Sequence, residues 1–259
     1  MFRIGCCGEI DADGALQAAG FDFCEVNVQT CLVPLAAEAA FVPRLEAMLA
    51  SKLPCEAANC FLPGHLKATG PEVDLGRLLA YAGTACERAR RAGIGLIVFG
   101  SGGARQVPTG FPMVRALEQL AEFARRLGPL AAASGVTVVM EHLAAGECNI
   151  LNTVPECARI VAAANHPNVR LLADSYHWLM EHETPATLIP LVPQIAHVHL
   201  ATAPARVEPG AEPCDFMPFL RALRRGGYGG AWSIECLWRH PGNKAAAVTA
   251  LRDLLAAAG

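Results

Sequence analysis

Positive charge is not in excess in this 259-residue chain: 21 Lys and Arg stand against 24 Asp and Glu, a net charge of −3. Nucleic-acid binding normally draws on a basic face that displaces condensed counterions, so no general affinity of that kind is expected. No uninterrupted apolar run approaches the ~20 residues needed to span a bilayer. The start, Phe2-Arg3-Ile4-Gly5-Cys6-Cys7, has the pattern of a strand and lacks the basic leader of a secretory signal. There is no CxxC pair among the eleven cysteines, which argues against a zinc ribbon. Their odd number, and the placement of Cys6, Cys7, Cys24, Cys55 and Cys60 in apolar segments, predict reduced, buried thiols and a cytoplasmic protein. Gly5-Cys6-Cys7-Gly8 is not the glycine fingerprint of a dinucleotide fold, and no stretch has the composition of a linker.

What is present is alternation. Apolar, β-branched runs lie near residues 2–7, 22–28, 54–60, 95–99, 136–141, 169–173, 195–200 and 231–235. Ala/Leu/Arg-rich stretches of helical period separate them, among them residues 74–92, 113–133, 154–164, 216–225 and 245–257. Strands alternating with helical crossovers predict parallel strands. Eight of each in a chain this long predict one (β/α)₈ TIM barrel over residues 1–259, the usual size being ~250 residues. The stretches 61–71, 100–112 and 201–213 would then be loops over one mouth, where such barrels build their sites. In Gly100-Ser101-Gly102-Gly103 the glycines serve equally well as turn residues or as a place for close ligand approach.

Four successive runs end in groups able to bind a cation or move a proton: Glu141, Asp174, His199 and Glu235. Any one strand-end carboxylate is more often a helix cap or loop anchor. All four at consecutive strand ends form one arc of a barrel mouth. Three carboxylates gathered there repel one another, and a divalent cation removes the conflict. Three oxygens and one imidazole suit Mn²⁺ best, with Mg²⁺ or Co²⁺ as alternatives. His197 lies deeper on the same run as His199 and is expected in the core or behind the ligands. Glu147, His177 and Arg206 follow Glu141, Asp174 and His199 closely enough to contact substrate oxygens from the mouth.

The chain resembles the sugar isomerase/epimerase superfamily with a xylose-isomerase-like TIM barrel, especially its branch of ketose 3-epimerases and hydroxypyruvate isomerase. The resemblance rests on residues 59–64, 98–105, 147–153, Asp174-Ser175-Tyr176-His177 and residues 215–235. It implies that Glu141, Asp174, His199 and Glu235 are the metal ligands and that Glu141 and Glu235 face the substrate from opposite sides as acid and base. It also places Glu147, His177 and Arg206 at the substrate, a small keto-sugar or hydroxy-keto acid, and suggests a homodimer or homotetramer. The glycine-rich loop after the fourth strand departs from ketose epimerases that place a large aromatic there. Such a site would polarise a carbonyl, remove the neighbouring proton and pass through a cis-enediolate. Return of the proton to the opposite face is epimerisation; return to the former carbonyl carbon is isomerisation. A lyase of the inosose or dehydroshikimate type uses the same enediolate, and a non-catalytic sugar-binding barrel is a further alternative. An endonuclease IV-type nuclease would want more histidine ligands and a basic face.

Overall fold

Eight short parallel strands close on themselves in sequence order in the computed structural model, which describes residues 2–8 and 10–259. They are β1 (Ile4–Cys7), β2 (Phe23–Asn27), β3 (Cys55–Asn59), β4 (Leu96–Phe99), β5 (Thr137–Glu141), β6 (Val169–Asp174), β7 (Ile195–Leu200) and β8 (Trp232–Ile234). Pairing of Ile4 with Trp232 completes the barrel. The helices are α1 (Ala15–Ala18), α2 (Glu38–Leu49), α3 (Leu75–Arg91), α4 (Gly102–Arg105) and α5 (Met113–Ala133). They continue with α6 (Val154–Ala164), α7 (Ser175–Met180), α8 (Pro185–Leu188), α9 (Met217–Arg225) and α10 (Lys244–Ala257). Every expected strand and helix is present, with ends that shift by a residue or two; α5 and α6 keep their expected bounds. None of the described helices is long and apolar enough to cross a membrane.

Local chemistry sets these ends. Asp74 caps α3 by accepting from the Arg77 N–H, and Thr153 with Glu156 forms a reciprocal capping box at α6. Side chains alternate across each strand, so one face packs on the helices in the main apolar cluster, which includes Ile4, Val26, Ile97, Met140 and Leu171. The other face fills the barrel. There, Val98, Val139 and Leu172 form a separate small apolar cluster. They sit two residues before Gly100, Glu141 and Asp174, so this plug lies directly beneath the strand ends that carry chemistry. Each such buried side chain stabilises the fold by ~1.5–3 kcal/mol, and together they shut out water from below.

The opposite half of the same layer is polar. Glu25, His197 and Ser233 are all buried there. Deeper still, Phe23 fills the barrel floor, with the Arg3 guanidinium 5.5 Å from its ring centre and the His197 ring 6.2 Å away. That ring explains Gly5. A β-carbon at position 5 would fall 2.3 Å from Phe23 Cε2, and the ring is too enclosed to retreat.

No disulfide joins the cysteines among the described residues. Most are buried as expected, but Cys60 is exposed and Cys7 half-buried. Cys60 ends β3 in a left-handed turn at φ 53°, which throws its side chain out of the core and onto the mouth.

Gly5→Ala is expected to destabilise the fold by ~1–3 kcal/mol, the usual cost of overpacking. Denaturant unfolding of G5A, F23L and the double variant checks this: the double variant should lose less than the sum of the single losses. Additive losses would disprove the steric coupling.

Candidate active site

The strand ends bring Glu141, Asp174, His199 and Glu235 into one cluster, with one potential ligand atom from each lying within 4.8 Å of the others. Register places Asp174 beside His199 across β6 and β7. His199 Nδ1 faces inward, 3.1 Å from Glu141 Oε1, 3.3 Å from Glu235 Oε2 and 3.8 Å from Asp174 Oδ2. Its Nε2 lies 2.8 Å from Glu25 Oε1.

Asp174 is both a cap and a candidate ligand. Its Oδ1 accepts from the His177 N–H at 3.0 Å and starts α7, while its buried Oδ2 has no hydrogen-bond partner. A buried acceptor left without a donor is costly. Here that oxygen faces an imidazole and two carboxylates, an arrangement that a hard divalent cation satisfies. The set fits a cation, and His199 Nδ1 would supply the nitrogen.

Glycine and asparagine make room for and steer the two glutamates. A β-carbon on Gly100 would fall 2.1 Å from Glu141 Oε2, so only glycine lets that carboxylate lie across the end of β4. The glycine-rich turn thus serves Glu141 directly. Arg105, fully buried, donates from Nη1 to the Glu141 carbonyl at 2.7 Å. Asn59 Nδ2 donates to Glu235 Oε1 at 3.0 Å, and Arg206 Nη2 to Glu235 Oε2 at 2.9 Å.

These surroundings drive the two glutamates apart. Burial and the adjacent Glu235 charge push the Glu141 carboxyl up to about 7. Burial would also raise Glu235, but His199 and Arg206 outweigh it and bring that carboxyl down to about 2. Burial raises Asp174. Burial would lower the His199 imidazole, yet Glu25 and Glu235 hold it well above its ordinary value. Without a cation Glu141 is therefore the readier of the two glutamates to hold a proton.

A cavity of about 350 Å³ opens beside the cluster, bordered by Asn59, Cys60, the turn from Gly100 to Gly103, Arg206 and both glutamates. Its walls are the loops expected over the mouth. Leu62 N–H donates to Ser101 Oγ at 2.9 Å and Thr69 Oγ1 to the Arg105 carbonyl at 2.8 Å, which fastens loop 61–71 to loop 100–112. Glu208 accepts from the Arg239 and His240 N–H groups at 2.8 and 2.9 Å and fastens loop 201–213 to the segment after β8. Glu147 and Arg206 meet at the mouth, with Nη1 3.0 Å from Oε1, and the guanidinium lies over the Tyr176 ring. His177 lies not in a loop but in the first turn of α7, fully buried. Its Nδ1 accepts from the Ala144 N–H at 2.9 Å, its Nε2 is unpartnered, and burial with the Arg206 charge lowers its pKa to about 3.

A family model described as a xylose isomerase-like TIM barrel matches residues 14–257. The chain belongs to that family. Among solved structures, an L-ribulose 3-epimerase superposes with TM-score 0.82 at 19% identity, over 100% of this chain and 96% of that one. A D-allulose 3-epimerase from Methylomonas sp. gives 0.81 at 20%, over 98% of both chains. An IOLI protein with a binding zinc atom gives 0.77 at 15%, over 100% of this chain and 99% of that one. At such identities the likeness shows the fold. A Mus musculus protein provisionally named hydroxypyruvate isomerase is 30% identical over 105 residues, 40% of this chain and 37% of that relative's length.

Two buried carboxylates, one behind the site and one farther from it, escaped the sequence reading. Glu25, the one charged residue of β2, touches His197 and His199, residues 172 and 174 positions away. The signal was a carboxylate inside an otherwise uncharged strand. Glu183 is the other, packed behind β5. Both its oxygens lie 3.2 Å from the Val154 N–H, and Oε1 lies 3.5 Å from His142 Nε2. Burial, with Glu156 and Glu181 nearby, raises its carboxyl to about 7.

A raised carboxyl favours the fold while protonated. The Glu183 contribution should be complete below its unfolded value near ~4.3 and be lost as pH rises through about 7. Melting curves of the wild type and Glu183→Gln should therefore diverge in favour of the variant between about pH 5 and 8. Parallel profiles would show that Glu183 does not titrate in this range.

Proposed function

We propose that the protein is a divalent-metal-dependent isomerase or epimerase of a small keto-sugar or hydroxy-keto acid. The observation that carries this is the convergence of Glu141, Asp174, His199 Nδ1 and Glu235 beside a cavity bordered by Asn59, Arg206 and both glutamates. The named activities of the epimerases that share the fold, and of the mouse relative, point the same way.

Glu141, Asp174, His199 and Glu235 would hold the cation, Mn²⁺ by preference for the oxygen-rich set, with Mg²⁺ or Co²⁺ as alternatives. Bound there, it supplies positive charge to polarise a substrate carbonyl. The chain's residues do the rest. One glutamate removes the proton next to the carbonyl, and the other delivers one to the resulting enediolate. Surroundings that raise Glu141 and lower Glu235 suit the two to opposite roles in that exchange. Arg206 holds Glu235 ionised and, with Glu147, offers charged groups to the substrate's oxygens at the mouth. His177 contributes a neutral Nε2–H donor, since its Nδ1 is occupied by the Ala144 N–H. The apolar plug of Val98, Val139 and Leu172 keeps water from reaching the pair from below.

NMR of the metal-loaded protein in D₂O with ketohexoses, ketopentoses and hydroxypyruvate tests this reading. Deuterium should appear at the carbon next to the carbonyl, vanish with EDTA, and fall by ~10²–10⁴-fold in Glu141→Gln and in Glu235→Gln. Near-wild-type turnover in either variant would refute the acid–base assignment. A product lighter by one water would make the protein a lyase, and saturable binding without exchange would make it a sugar-binding barrel.

A further inference from the structure

The polar half of the layer below the site is built on a single carboxylate. Glu25 is fully buried, and each of its oxygens meets a different imidazole. Oε1 lies 2.8 Å from His199 Nε2 and Oε2 lies 2.9 Å from His197 Nε2. Ser233 Oγ lies 3.0 Å from that same His197 nitrogen, so His197 is itself held in place. The steps assigned to Glu141 and Glu235 use none of these contacts.

An imidazole binds a cation through a nitrogen lone pair, so the ligating nitrogen is bare and the other carries the proton. A fixed acceptor on one nitrogen therefore chooses the ligating atom. In His199 the acceptor is on Nε2, and Nδ1 is the nitrogen that faces Glu141, Asp174 and Glu235. We propose that Glu25 is the positioning residue that keeps the His199 ring proton on Nε2 and the ring oriented, so that Nδ1 is presented to the cation. It acts through His199 and touches neither substrate nor cation. The inference rests on the metal reading given above.

Both oxygens of Glu25 are needed. A glutamine of the same shape has one acceptor and one donor, so in Glu25→Gln either His199 or His197 loses its acceptor. Titration calorimetry with Mn²⁺, on the wild type, E25Q and E25A, reads the consequence. E25A should bind Mn²⁺ about 10–100-fold more weakly, and E25Q, which keeps one acceptor, should lose less. Leu120→Ala, a fully buried position of α5 away from the site, serves as a control: it should melt at a lower temperature yet bind Mn²⁺ as the wild type does, which separates positioning from loss of stability.

Proton–nitrogen spectra of ¹⁵N-histidine-labelled protein with Mg²⁺ bound supply the second readout. The wild type should show His199 protonated on Nε2, with slow exchange of that proton, and E25A should lose the protection. Wild-type Mn²⁺ affinity in E25Q and E25A with the Nε2 proton unchanged would overturn the inference. If the wild type itself bound no Mn²⁺, the metal reading would fall, and the metal-free spectra would still decide the role of Glu25. Protection of the Nε2 proton in the wild type and not in E25A would sustain the positioning role, and equal protection in both would end it.

Discussion

Three carboxylates crowded at one end of a barrel, mostly out of water, are what the rest of the structure has to accommodate. Glu141 and Asp174 are buried and Glu235 nearly so, and like charges so placed cannot all ionise without a counter-charge. The chain supplies part of it through His199 and Arg206. The donor from Asn59 and the cap taken by Asp174 Oδ1 remove two more lone pairs. What remains unmatched is Asp174 Oδ2 and the inward face of the cluster, which is the room a cation would fill.

The same constraint shapes the neighbouring layers. Below Gly100, Glu141 and Asp174 the barrel is apolar, which keeps the electrostatic interactions strong. Below His199 and Glu235 it is polar, because an imidazole wedged among acids needs its far nitrogen satisfied. Above, the loops after β3, β4 and β7 are fastened to one another or to the segment after β8, so the cavity walls are preorganised rather than gathered around a ligand. Gly100 lets the wall approach Glu141 closely, Gly102 lets it approach the Glu147 backbone, and Gly103 lets it approach Gly64.

Much of this was legible in the sequence because parallel strands buried on both faces advertise themselves as apolar runs, and a run that ends in Glu, Asp or His stands out. That is why Glu141, Asp174, His199 and Glu235 were visible and are found together. The helix α2 was not singled out, and its interior Pro43 weakens the helical signal. The four-residue helices α1, α4 and α8 are too short to show a period. Glu25 was missed for a different reason. Its partners lie more than 170 residues away, and only closure of the barrel brings β2 against β7 through the interior. The exposure of Cys60 follows from a backbone turn that composition does not reveal, and the burial of His177 follows from the short helix α7 that Asp174 caps.

The central claim is that a single divalent cation belongs among Glu141, Asp174, His199 and Glu235. Anomalous diffraction from crystals soaked in Mn²⁺ tests it most directly. One strong peak should lie about 2.0–2.6 Å, the span of hard-cation contacts, from His199 Nδ1 and from an oxygen of each of the three carboxylates. A saturated soak with no peak there, or with the peak bound through His199 Nε2, would contradict it.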